Sequence, residues 1–295
     1  MTLARAPLSG MIARPLSQIG TSAAWLRERL SAESVAINPR SELASALDAL
    51  TEMRRVALGD GIFRFPNPNG AKDAYDFFSK AIGADFLSKA LHWGSEAGFV
   101  ITAEKWTHLI SGDPILTRPG ESSSERNWTW EVVLASLAAT FAKNVHFGEP
   151  DVLCDFDGRT YAIAAKVAYS DNKLIANVRK GFKQADGKAD ASLVFVDVVR
   201  LYPVFDTFVW SFGKAFASND DAVNQMMESV GRWCEQFSVH LLASNLKRQA
   251  TVETISATRS VSILPKRSES GMLSDHSTFG SRDRNAAQFE DRLHP

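Results

Sequence analysis

The dipeptide Asp157-Gly158 constrains this chain more than any other pair of residues. It stands between two runs of strand-forming residues, Asp151-Val-Leu-Cys-Asp-Phe156 and Arg159-Thr-Tyr-Ala-Ile-Ala-Ala-Lys-Val167. Asp-Gly is a preferred loop for a two-residue type I′ hairpin, whose central positions both need positive φ. With that loop fixed, Phe156 faces Arg159, Asp151 faces Ala164, and Glu149 is expected opposite Lys166. Side chains two apart share a face of a strand, so Glu149, Asp151, Ala164 and Lys166 are expected together at the open end of the hairpin. Asp155 shares that face but sits nearer the turn, roughly 13 Å from Asp151 at about 3.3 Å per residue, too far to share an ion with it. Cys154 alternates to the opposite face, into the core.

Lys166 interrupts an otherwise apolar run, and a lysine in a buried strand must reach a partner or solvent. The stretch before the hairpin reads as a helix headed by Trp128-Thr-Trp-Glu131, with Asn127 or Thr129 as its cap. The stretch after it, Ser170 to Asp190, reads as a second helix. Arg179 and Lys183 are four apart there with Lys180 adjacent, and they form one positive stripe close to Lys173. A plain buried strand opens at Ala191. A helix between two such strands predicts a crossover, and so a mixed sheet.

The Pro150-Asp151 pair, the glycine-containing turn, the apolar strand ending in Lys166 and the preceding helix with Glu131 together resemble the PD-(D/E)xK nuclease superfamily, within residues 127–190. The resemblance implies an α/β, restriction-endonuclease-like mixed sheet flanked by helices, with a helical amino-terminal subdomain in front. It implies metal-dependent hydrolysis of nucleic-acid phosphodiesters, DNA above all, in restriction, repair or defence. Glu131, Asp151 and an acid two residues before the lysine would hold one or two Mg²⁺, or Mn²⁺, and Lys166 would assist the attacking water. A helix after the third strand would face nucleic acid with Gln184 and with Lys173, Arg179, Lys180 and Lys183.

The chain departs from that pattern at one position, because the tripeptide reads Ala164-Ala165-Lys166 and lacks its acid. Three outcomes follow. Asp151 and Glu131 alone meet the minimum of carboxylates that Mg²⁺ takes with waters and phosphate oxygens. Glu149 moves into the vacancy as a third ligand. Or no metal binds, and the fold acts as a catalytically degenerate nucleic-acid-binding module. If residue 164 faces Asp151 in a weakened site, Ala164→Glu is expected to tighten Mn²⁺ binding.

The same residues also have plain readings. Glu131 reads as a helix-start carboxylate favoured by the macrodipole, Asp151 as the start of a strand, Gln184 as a surface residue and the basic stripe as a solvated face. Trp128 and Trp130 read as core anchors, with base stacking as the alternative.

Charge adds a limit, since a net charge of −1 gives no overall basic excess, and any nucleic-acid surface must be local. Two cysteines, Cys154 and Cys234, without spaced histidines argue against structural zinc. Residues 1–21 lack the apolar core of a secretory signal and read as a disordered start, and no run reaches membrane-span length, so the expected compartment is the cytoplasm. Residues 22–120 read as helical. Ala23 to Leu30 is a short amphipathic piece, and Ser41 opens a longer helix to Leu58 with Leu43, Leu47 and Leu50 at core spacing. Asp73 to Leu91 follows, with Tyr75, Phe78, Ile82 and Phe86 inward and a break expected at Gly83, and Thr102 caps a helix to Ile110. This half offers a surface for a second copy of the chain or another protein, and an assembly role is the third functional class. Ser111 to Arg126 reads as a boundary. Residues 121–264 then form the nuclease-like core, including a helix from Asp220 to Leu242 and a late strand within Thr251 to Leu264, and 265–295 read as a disordered tail.

Overall fold

A computed structural model describes residues 13–15, 20–58, 70–111, 124–197, 252–255, 260–262, 271–273 and 278–281. After the three-residue strand β1 (Ala13–Pro15) come α1 (Thr21–Ala32), α2 (Glu42–Ala57), α3 (Gly70–Glu96), α4 (Ala103–Ser111) and α5 (Ser124–Ala139). The sheet follows as β2 (Lys143–Phe147), β3 (Val152–Phe156) and β4 (Arg159–Val167), then α6 (Asp171–Ala185) and β5 (Ala191–Asp197). Short strands β6 (Val252–Ile255), β7 (Ser260–Ser262), β8 (Gly271–Leu273) and β9 (Thr278–Ser281) complete the described elements. They pair as β1-β8-β7 and β6-β9. Strands β1, β8 and β9 thus fall in the two terminal stretches expected to lack structure, and β6 and β7 within the late strand region. The expected helix from Asp220 to Leu242 lies outside the described residues, as does Cys234.

Local signals account for most of the helices. Ser41 caps α2, its Oγ accepting from the Ala44 N–H at 3.2 Å, and Leu43, Leu47 and Leu50 point inward and are buried. Thr102 does the same for α4, accepting from the Lys105 N–H at 3.3 Å. Helix α3 runs through Gly83 without a break. Gly83 is buried there, and burial of the surrounding helix outweighs the roughly 1 kcal/mol that an interior glycine costs. Of the inward residues expected on α3, Phe86 is partly buried against the core, while the side chains of Tyr75, Phe78 and Ile82 lie outside the described ones. Helix α5 begins at Ser124, earlier than expected, so Asn127 and Thr129 are helical residues and not caps.

The main sheet has the order β2-β3-β4-β5. The β3–β4 hairpin keeps the register set by the Asp-Gly loop, from Phe156↔Arg159 to Val152↔Ile163, and Asp157 and Gly158 both have positive φ. Strand β5 is parallel to β4 across the α6 crossover, with Tyr161 beside Ala191, so the sheet is mixed as expected. Strand β2 was not foreseen, although Lys143, Asn144 and His146 exposed against half-buried Val145 and Phe147 carry a strand-like alternation.

Each face of the sheet is covered by helices. Val152, Cys154, Tyr161, Ile163, Ala165, Val167, Leu193 and Phe195 join α1 to α5 in one continuous core, and Trp130 pins α5 to β5 by donating Nε1–H to the Phe195 carbonyl at 3.2 Å. On the other face α6 lays Leu174, Val178 and Ala185 over Ala162, Ala164, Val194 and Val196, all buried. Cys154 is core, as its register required, and burial pushes its thiol up to about 12, which makes it unreactive. Two glycines set close approaches. A Cβ on Gly94 of α3 would come within 2.8 Å of the Ser136 backbone of α5, and one on Gly181 of α6 within 2.6 Å of Val194.

Candidate functional site

Asp151 precedes β3 at the point where the β3–β4 ladder has ended, since the last paired residues are Val152 and Ile163. The next inward-pointing amide of β4, that of Ala165, therefore has no β3 carbonyl opposite. The Asp151 carboxylate takes that place, Oδ2 accepting from the Ala165 N–H at 2.7 Å. The same oxygen accepts from Lys166 Nζ at 2.7 Å, and Nζ also donates to the Ala165 carbonyl at 2.9 Å. Both side chains of this ion pair are 13% exposed, so the lysine in the apolar strand reaches a partner and the edge of solvent together.

Glu131 comes to the site from α5. Its Oε2 accepts from Lys105 Nζ of α4 at 2.6 Å, with the two side chains 13% and 10% exposed. Burial raises the Glu131 pKa above the ordinary carboxylate range; the Lys105 hydrogen bond and charge pull it back, while the Asp151 charge raises it and the Lys166 charge lowers it. The strand acid and the strand amine expected together from sequence thus form one ion pair, and the helix acid pairs instead with Lys105 of α4. Each acid commits one oxygen to a lysine. Asp151 Oδ1 and Glu131 Oε1 have no protein donor among the described residues.

Lys105 was missed by sequence reasoning. Its ammonium lies 3.8 Å from the centroid of Trp128 and 4.7 Å from that of Phe147. His108, one turn further along α4, is stacked on Trp128 at 4.5 Å with 5° between the planes. The only local hint of Lys105 was its place one residue before the buried Trp106 in a helix pattern.

Glu149 does not enter the site, contrary to the expected cross-strand pairing with Lys166. Gly148 and Asp151 bracket a two-residue loop, the Gly148 N–H donating to the Asp151 carbonyl at 3.2 Å, and the cis peptide Glu149–Pro150 is its tip. Glu149 therefore belongs to the β2–β3 turn and not to the β3–β4 ladder, and its Oε2 accepts from Lys188 Nζ at 3.0 Å on the surface. Asp155 stays at the far end of the hairpin, accepting from Asn144 and Thr160. Those two hydrogen bonds hold its pKa below the ordinary range.

Ala164 does not open onto the acids. It is fully buried, and a Cβ on Gly181 would lie 3.3 Å from its methyl group. Ala164→Glu is therefore expected to push α6 off the sheet, at a cost of about 1–3 kcal/mol in urea unfolding, and not to tighten Mn²⁺ binding. On α6, Lys173, Arg179, Lys180 and Lys183 are exposed. The residue of α6 that reaches the end of β4 beside Lys166 is Asn177, donating to the Val167 carbonyl at 2.8 Å. Gln184 sits two turns further on, about 10 Å along the axis at 1.5 Å per residue, with its Oε1 buried and unpartnered.

No protein-family model matches the chain, and comparison with curated proteins and with solved structures gives no match either. Among the described residues no helix is long and apolar enough to cross a membrane.

Proposed function

We propose that the chain hydrolyses nucleic-acid phosphodiesters, with DNA as the first substrate to test, on a restriction-endonuclease-like sheet. The observation that carries this reading is the Asp151–Lys166 pair at 2.7 Å, with one oxygen on each of Asp151 and Glu131 that accepts from no protein donor among the described residues. The order of elements agrees with it: with β2 present, β4 is the third strand of the sheet and α6 the helix that follows.

The residues fit a hard divalent ion at its lower limit. Mg²⁺ takes one or two carboxylates and completes its shell with water and phosphate oxygens. Asp151 and Glu131 supply two, and among the described residues no three His, Cys, Asp or Glu side chains stand together. A bound ion would polarise a phosphoryl oxygen and acidify a water. The chain does the remaining work. Asp151 is fixed by the Ala165 amide, and Lys166 holds its ammonium at the same oxygen, where it can meet the charge that grows on the phosphate as the nucleophile adds. Lys173, Arg179, Lys180 and Lys183 would grip phosphates along the duplex without reading sequence.

A second reading is favoured by Ala164, whose burial under Gly181 leaves the third acid without a place. In it the same surface binds nucleic acid and cuts nothing. The two separate in one experiment, incubation of purified protein with DNA with and without Mg²⁺ or Mn²⁺. Cleavage that appears only with the ion supports hydrolysis. Binding that is equal in both conditions and never followed by cleavage leaves the binding module.

A further inference from the structure

Where β3 parts from β4, the polar groups on that side of β4 are left without a strand. The parallel pairing with β5 uses the even-numbered residues, as in the Ala168 N–H donating to the Asp197 carbonyl at 2.9 Å. Ala165 and Val167 therefore turn their amides and carbonyls toward the side that β3 has left. Side chains take all but one of these groups. Asp151 Oδ2 accepts from the Ala165 N–H at 2.7 Å, Lys166 Nζ donates to the Ala165 carbonyl at 2.9 Å, and Asn177 Nδ2 donates to the Val167 carbonyl at 2.8 Å. The Val167 N–H has no protein acceptor among the described residues. Val167 is 2% exposed, and a buried backbone amide seldom goes unpaired.

Donors stand on both sides of that amide. Lys166 Nζ has spent hydrogens on Asp151 and on the Ala165 carbonyl and keeps a third, while Asn177 Nδ2 keeps its second. The packing of α6 brings the two residues together. Gly181 lies over Ala164, where an added Cβ would meet the methyl group at 3.3 Å. One turn back along α6, about 5.4 Å, is Asn177, and two residues on along β4, about 6.6 Å, is Lys166. Lys173, exposed a further turn back on the same helix face, adds positive charge beside an Asp151–Lys166 pair that is neutral on its own.

We propose that this notch holds a phosphate group, whose oxygens accept from the Val167 N–H, the Lys166 ammonium and the Asn177 amide. Nitrogen donors from strand backbone, strand side chain and helix suit an anion with several acceptor oxygens. That the phosphate belongs to a nucleic-acid strand rests on the proposed hydrolysis, for which the notch would seat a phosphodiester about 6.6 Å along β4 from the amide that holds Asp151. Free phosphate or a phosphomonoester is the other source of the same chemistry.

The test reads the amide itself. Lys166-Val167 is the only Lys-Val pair in the sequence, so full-length protein carrying carbonyl-¹³C lysine and ¹⁵N valine gives a single carbonyl-coupled amide signal, that of Val167. The protein is titrated without metal, with a short DNA duplex and separately with inorganic phosphate. Each is expected to move the Val167 proton downfield, phosphate at the higher concentration. Asn177→Asp, which sets a carboxylate where a donor stood, should weaken DNA binding about tenfold and suppress the movement; Asn177→Ala should act in the same direction and covers the case in which the Asp variant does not fold. Movement with both ligands supports the notch and the nucleic-acid reading together. Movement with phosphate and none with DNA keeps the site, assigns it to free phosphate or a phosphomonoester, and counts against the proposed hydrolysis. A Val167 signal that neither ligand moves overturns the inference, and if DNA binds in that titration the proposed hydrolysis still stands. Movement with DNA that persists undiminished in the Asn177 variants is transmitted from elsewhere on the surface and overturns the inference as well.

Discussion

Lys166→Ala is expected to lower the rate of metal-dependent DNA cleavage by about 10²-fold or more, read in single-turnover assays with protein in excess. The magnitude follows from removing one positioned positive charge from a reacting centre. The fold should survive, because Asp151 Oδ2 still accepts from the Ala165 N–H and the deleted side chain lies at the end of β4 and not within either core cluster. Circular dichroism and urea unfolding therefore accompany the rate measurement. A folded Lys166→Ala protein that cuts as fast as wild type removes Lys166 from the chemistry, and with it the proposed reading of the site.

The largest effect on stability is expected far from that site. Asp85 of α3 is 2% exposed. Its Oδ2 takes Lys89 Nζ at 2.6 Å, and its Oδ1 the Gly20 N–H at the head of α1 at 2.8 Å. Asp85→Leu removes the carboxylate from beside an ammonium that is itself almost buried and leaves the Gly20 amide without its acceptor. Breaking a buried pair from one side costs about 3–5 kcal/mol, measurable as a shift of the urea midpoint. Combining Asp85→Leu with Lys89→Met removes both charges and should recover much of the loss. A single variant as stable as wild type would mean that a partner other than this carboxylate satisfies Lys89.

The parts of this architecture governed by neighbours in sequence were legible. Asp157-Gly158 set a hairpin register that holds across the whole of β3, and from it came the facing of Asp151, the inward turn of Cys154 and the isolation of Asp155. The crossover through α6 followed from an apolar strand on each side of an amphipathic helix. The register failed where a second turn intervened. Extrapolating the β3 ladder to Glu149 assumed a straight strand, whereas Glu149-Pro150 forms a loop of its own and directs that acid to Lys188. Lys105 was out of reach for a different reason. Its role depends on α4 lying against α5, a contact between helices whose connecting residues carry no pattern that fixes how they meet.

The contact between Gly94 and Ser136 has a consequence for the acid on α5. Ser136 is the fifth residue after Glu131 on one continuous helix, and the glycine lets the α3 backbone press directly against it. Helix α5 thus behaves as a rod clamped partway along its length, whose free travel beside the sheet is set by a missing methyl group. The aim of a carboxylate midway along that helix is governed by bulk at a residue that never touches it, so the helical layer serves as a mounting for the site as well as a cover for the sheet.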